Sequence, residues 1–201
     1  MLAAVAHGTL LAFGLILPLG PQNAFVISQG ARQPRLARAL PVVVAASLCD
    51  TLLILLAVLG VSLVVLTVPG VRTALLGAGV AFLAVVGWLT WRSDPAGKPD
   101  GATEAWPVRR QVLFAASVSL LNPHAVLDAV AVIGTSSLAY EGGARAAFTA
   151  GCAGVSWAWF LALAVAGRLA GHVPTARRIL GRASAVIMWA TALYLAGQLL
   201  T

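Results

Sequence analysis

Acidic side chains are scarce in this chain. Its 201 residues include six Asp and Glu against thirteen Lys and Arg, and charged residues of both signs make up 9%. Globular domains carry roughly a quarter. With 60% hydrophobic residues and a mean hydropathy of +0.95, the composition excludes a water-soluble domain and points to an all-α integral membrane protein. Cysteine is nearly absent too. Cys49 and Cys152 both fall in apolar runs, where a thiol packs as a small hydrophobe, so neither a disulfide nor a metal pair is expected. The chain has no phosphate-binding Gly-rich loop with its lysine, no His-Glu-x-x-His and no nucleophile elbow. ATP coupling and common hydrolytic chemistry therefore lack support, and no cofactor or metal is expected.

What the chain has is apolar length. A spanning helix needs about 20 mostly apolar residues, and six such runs occur, at residues 2–29, 39–66, 71–91, 112–136, 144–170 and 179–200. Nothing basic precedes the first run and Arg32, Arg35 and Arg38 follow it, the reverse of a secretory signal, so it is expected to stay attached. The net charge of +7 does not imply nucleic acid, because the basic residues sit in the short connections. Connections one, three and five hold Arg32, Arg35, Arg38, Arg92, Lys98, Arg109, Arg110, Arg168, Arg177, Arg178 and Arg182, whereas connections two and four hold only Arg72 and Arg145. Positive-inside bias then places the odd connections in the cytoplasm and both termini outside.

Two of the six runs are interrupted by polar proline breaks, Gly20-Pro21-Gln22-Asn23 in the first and Asn122-Pro123-His124 in the fourth. Proline removes a donor and clashes with the preceding turn, leaving backbone groups at membrane depth that lipid cannot satisfy. A matching pair of broken helices in two halves points to a transport site. Residues 93–107 form the one linker-like segment, dividing a single transmembrane domain into half-repeats 1–92 and 108–201. Val68-Pro69 with Arg72 recurs as Val173-Pro174 with Arg177. Three spans per half make the second half an inverted copy of the first, a 3+3 arrangement.

Two of the six acids, Asp50 and Asp128, fall inside expected spans. A central aspartate costs about 2.5–3.5 kcal/mol on insertion scales, so such residues face a cavity and mark a pathway or proton relay; the structural alternative is a neutral acid bonded to another helix. His124 and Asp128 share a helix face four residues apart, fitting either a proton-coupling pair or a histidine that caps carbonyls freed by Pro123. Gln22, Asn23 and Asn122 both donate and accept, and half-helices starting after Pro21 and Pro123 offer positive dipole ends to a carboxylate. For a cationic amino acid, Asp50 is the first choice of counter-charge and Asp128 the second. His7 is expected at the outer interface, and Trp88, Trp91 and Trp106 in an aromatic belt. Trp157 and Trp159 line a pathway or pack. Gly77, Gly79, Gly151 and Gly154 suggest close helix contacts, within the chain or across a homodimer.

The run Leu17-Pro18-Leu19-Gly20-Pro21-Gln22-Asn23-Ala24-Phe25-Val26, the pair Cys49-Asp50 and the run Leu121-Asn122-Pro123-His124-Ala125-Val126-Leu127-Asp128 resemble the lysine exporter (LysE) family, in particular its arginine-exporter branch. Neutral amino-acid exporters of this group usually show Pro-Gly-Pro-Asn at the first motif and a lysine after the second Asn-Pro. The resemblance implies a secondary exporter of arginine and lysine in the cytoplasmic membrane of a bacterium, driven by the proton gradient or membrane potential. From the two breaks and the intramembrane aspartates, the residues expected to bind substrate are Gly20, Pro21, Gln22, Asn23, Asp50, Asn122, Pro123 and His124, and protons are expected to couple through Asp128, His124 and Asp50. The partners expected are the amino acid and the lipid bilayer. A neutral amino-acid or small-cation exporter on the same scaffold is the first alternative, since fold does not fix substrate; a membrane-embedded enzyme acting on lipid through His124 and Asp128 is the second.

Overall fold

The computed structural model describes residues 1–17, 20–60, 70–92, 106–122, 125–126, 129–171 and 174–199. Pro123, His124, Leu127, Asp128, the pairs Val68-Pro69 and the first member of Val173-Pro174, and most of the linker lie outside them. The described residues are helical, with no strand among them. In chain order the helices are α1 (Leu2–Ile16), α2 (Pro21–Arg32), α3 (Leu40–Val58), α4 (Val71–Arg92), α5 (Val108–Leu120), α6 (Gly142–Ala170) and α7 (Pro174–Leu199), with a π-helical turn at Ala129–Gly134.

The expected first run is two helices. α1 and α2 are bent by 82° at their break, and counted together they make one span; α3 and α6 each suffice to cross a bilayer by length and composition. α3 ends at Val58, inside the apolar run 39–66, of which residues 61–66 lie outside the described residues. Gly60 takes φ of 75° and its amide donates to the Ala57 carbonyl at 3.1 Å, a left-handed C-terminal stop that favours glycine. α5 begins at Val108 and α7 at Pro174, several residues before the apolar runs, because basic and proline residues are tolerated in a first helical turn even though they are not apolar.

Glycine sets how the chain folds over α6. A Cβ at Gly8 would meet the Phe148 carbonyl, one at Gly151 the Val5 carbonyl, one at Gly30 the Ala164 carbonyl and one at Gly167 the Ile27 carbonyl. α1 therefore lies against the first half of α6 and α2 against the second, both running in the sense of α6. Small residues allow this backbone-to-backbone approach where burial from lipid supplies little drive. Gly151 thus packs as expected, whereas Gly77 and Gly154 have nothing within 4 Å.

The same pairing sorts the connections to two ends. At one, Met1 lies against Gly143 and the Tyr140 hydroxyl is 2.9 Å from His7 Nδ1. At the other, the Gln33 amide donates to the Trp106 carbonyl at 3.3 Å, Gln111 donates to the same carbonyl at 2.8 Å and Arg168 grips the Gln33 carbonyl at 3.1 Å. Connections one, three and five thus meet at an arginine-rich end. The expected belt tryptophans are there too, with Arg92 over Trp88, Arg110 over Trp106 and Arg182 over Trp91, as cation–π contacts favour. Arg32 sits in this cluster, with Arg110 nearby.

Gln33 and Gln111 are both 1% exposed, and the Oε1 of each has no hydrogen-bond partner among the described residues. An orphaned buried acceptor costs about 1–3 kcal/mol. Because Gln33 still serves the Trp106 carbonyl, Gln111→Met is expected to unfold in detergent at a temperature no lower than the parent, gaining up to about 1 kcal/mol. A loss of several degrees in a thermal-shift assay would refute this.

Candidate functional site

The break that starts the site is built by local chemistry. Gly20 is extended (φ −85°, ψ 178°) and caps α2, with Pro21 at its first position, where a missing N–H removes no helical bond and φ is already set. The Ala24 amide donates to the Gly20 carbonyl at 3.0 Å. Asn23 Nδ2 donates to the Ile16 carbonyl at 3.0 Å, satisfying a backbone acceptor exposed where α1 ends. Gln22 reaches across instead. Its Nε2 lies 3.4 Å from Asp50 Oδ1 and 3.5 Å from the Ala46 carbonyl, both on α3.

Asp50 stands mid-way along α3, and its second oxygen accepts the Ser156 hydroxyl of α6 at 2.8 Å. One residue further on, Trp157 Nε1 donates to Thr51 Oγ1 at 3.2 Å, so α3 and α6 are joined by two successive side-chain bonds at this level. The second break contributes Asn122, whose carbonyl accepts the Val126 amide at 3.2 Å as the helix resumes. The π-helical turn follows, a local widening often found at functional sites.

These parts enclose one cavity of about 520 Å³, within the usual range for small-molecule sites. Gly20, Pro21, Gln22, Asn23, Asp50 and Asn122 all line it, six residues that the sequence analysis named from three separate stretches. Asp50 is the one charged side chain among its described lining residues. The start of α2 also faces the cavity, and the helix dipole gives that wall a positive character. The expected site residues Pro123, His124 and Asp128 lie outside the described residues. Trp157 and Trp159 do not line the cavity; Trp159 packs edge-on to Phe13 at 5.8 Å.

The cavity lies in the half of the molecule that holds α1. Its walls are Ala12, Leu15 and Ile16 of α1 and Leu53 and Ile54 of α3. Toward the arginine end it is bounded by packed core, including Phe25, Val42, Val43, Ala46, Ala115 and Ala164. The Phe25 and Phe114 rings lie 4.2 Å apart there, tilted by 43°, with Trp106 edge-on to Phe114 at 5.4 Å.

Comparison with known proteins decides the family, because the model of the LysE type translocator matches residues 13–199. The chain belongs to the LysE-type translocator family. Full-length relatives agree with this membership. YisU of Bacillus subtilis (strain 168), which carries the name of an amino-acid transporter, is 50% identical over 95% of this chain and 88% of its own length. The arginine exporter ArgO of Pectobacterium carotovorum subsp. carotovorum (strain PC1) is 34% identical, and that of Serratia proteamaculans (strain 568) 35%, each with 98% of both chains covered. No solved structure matches the chain. Membership makes this translocator a membrane transport protein built from apolar helices.

Two contributions to the cavity were not visible in the sequence. Ser156 is 2% exposed in a stretch that reads only as apolar, and α7 supplies Ile187, Ala190, Thr191 and Tyr194 to the wall. The only available signal was the intramembrane Ser-Trp pair at Ser156-Trp157, which by itself names no partner.

Proposed function

We propose that this translocator exports basic L-amino acids, arginine and lysine, from the cytoplasm, holding them in the cavity between the two breaks. One observation carries the reading: a half-buried carboxylate, Asp50, is the charged group among the described lining residues. A basic amino acid has one cationic charge beyond its zwitterion, and Asp50 balances it in a low-dielectric site where an unpaired charge would be costly. The zwitterion's carboxylate is drawn to the start of α2 at Gly20, Pro21, Gln22 and Asn23, and Asn122 with Pro123 and His124 meets it from the other break. The ArgO relatives, at 34% and 35% identity, support arginine as the substrate.

Alternating access needs two arrangements of one scaffold with different affinities. The cavity on the α1 side and the packed Phe25–Phe114–Trp106 cluster on the arginine side fit one of them, open toward the outside if the arginine end is cytoplasmic. Opening the other way separates that cluster and the Gln33–Trp106–Gln111 bonds. Proton gradient or membrane potential drives the cycle, with protonation at His124 and Asp128 biasing it and Asp50 sharing the charge. Support for six spans in two inverted halves, 1–92 and 108–201 joined by 93–107, comes from packing: α3 pairs with α6 and α4 with α7, while α1 on α6 is mirrored by α5 on α3.

Counterflow in proteoliposomes tests the substrate. Labelled arginine is expected to accumulate in vesicles preloaded with unlabelled arginine or lysine, and leucine at tenfold excess is expected not to compete. Equal competition by leucine would replace this reading with a neutral amino-acid exporter.

A further inference from the structure

Asp50's carboxylate is held on both sides, and that arrangement distinguishes the two basic amino acids. A carboxylate has about four acceptor positions, two on each oxygen. Gln22 takes one on Oδ1 at 3.4 Å and Ser156 takes one on Oδ2 at 2.8 Å. The Ser156 bond is the shorter, its donor is almost fully buried, and it comes from a helix 106 residues away in sequence that packs glycine-to-backbone against both halves of the broken span. It therefore fixes the rotation of the carboxylate plane, while the long Gln22 contact alone would not.

Among the described residues, one acceptor position remains on each oxygen. That pattern matches two parallel N–H groups of a guanidinium, which binds a carboxylate as a planar fork and depends on the plane's orientation. An ammonium is a compact point charge with rotatable donors and tolerates a turned carboxylate. We propose that Ser156 is a positioning residue that favours arginine over lysine by fixing the plane of Asp50. This rests on the basic amino-acid reading above, and it adds a residue and a discrimination that the reading does not contain.

The experiment measures counterflow KM for both substrates in proteoliposomes carrying the parent, Ser156→Ala and Ser156→Thr. Loss of one hydrogen bond to a charged group is expected to raise the arginine KM of Ser156→Ala on the order of tenfold, with the lysine KM changed less than about twofold because an ammonium needs no fixed plane. Ser156→Thr keeps the hydroxyl and is expected to keep the parent's preference. A parallel rise in both constants, or no rise in either, would overturn the proposal, since a general packing defect moves both substrates together. If the parent itself exchanges neither amino acid, it is the substrate reading that fails, and the selectivity role falls with it.

Discussion

Asp50→Asn is expected to lower arginine counterflow on the order of 100-fold while leaving the protein inserted and folded. The substitution preserves shape. It takes a charge out of a partly buried site, where a charge without an ion partner carries a desolvation cost that the amide does not. The substrate bears the loss. A guanidinium brought into the cavity would then face an amide that cannot neutralise it, and breaking one side of a buried ion pair costs about 3–5 kcal/mol, of which 3 kcal/mol already corresponds to roughly 100-fold. Asp50→Glu keeps the charge but moves it by a methylene away from Ser156 and Gln22, so an intermediate rate is expected. Leucine should compete better in Asp50→Asn than in the parent, because a neutral zwitterion no longer leaves a carboxylate unpaired. Initial rates at equal reconstituted protein decide the matter: an Asp50→Asn rate above half the parent's would remove the counter-charge role.

How much of this was legible before the fold depends on the range of each interaction. The break at Gly20-Pro21-Gln22-Asn23 is local chemistry, since a proline in an apolar run interrupts the helix and is tolerated at a helix start, and α2 begins at Pro21. Asp50 could be named because an aspartate in an apolar run demands a reason. That Gln22, Asn23, Asp50 and Asn122 share one cavity followed from the transporter logic of paired breaks. Ser156 was not legible, because a serine is tolerated anywhere in an apolar helix and its partner lies 106 residues away. The wall from α7 was hidden for the same reason: Ile187 and Ala190 look like any other spanning residues. The end of α3 was not legible either, since it depends on a single glycine, Gly60, whose left-handed turn follows α3 inside an apolar run. Asn23 shows the opposite lesson. Its polar side chain read as a substrate contact, and its amide is engaged by the Ile16 carbonyl, so part of its role is to repair the backbone that the break exposes.

The second large effect is expected at Gly167, which does not line the cavity. A Cβ there would fall on the Ile27 carbonyl, one at Gly30 on the Ala164 carbonyl, and one at Gly171 within 2.5 Å of the Ala31 carbonyl, so Gly30 on α2, Gly167 on α6 and Gly171 at the C-cap of α6 seat the two helices together. Carbonyl groups inside a helix cannot swing aside as a side chain can. Gly167→Leu must therefore push the helices apart, and overpacking of this kind costs about 1–3 kcal/mol or more. At the upper end this corresponds to a Tm lowered by about 6–12 °C for a chain of this size. The consequence reaches the cavity, because α2 carries Gln22 and Asn23 at its start and Gln29 and Gln33 near its end. A displaced α2 weakens the Gln22 contact with Asp50 and the Gln33 contacts at the arginine end together. Gly154→Leu is the control. Gly154 is on the same helix but exposed, with nothing within 4 Å, and is expected to stay within about 2 °C of the parent, as surface changes usually do. If both variants unfold alike, leucine is merely a poor fit anywhere on α6. If Gly167→Leu keeps the parent's Tm and transport rate, the close seating of the broken span on α6 does not hold the cavity in shape.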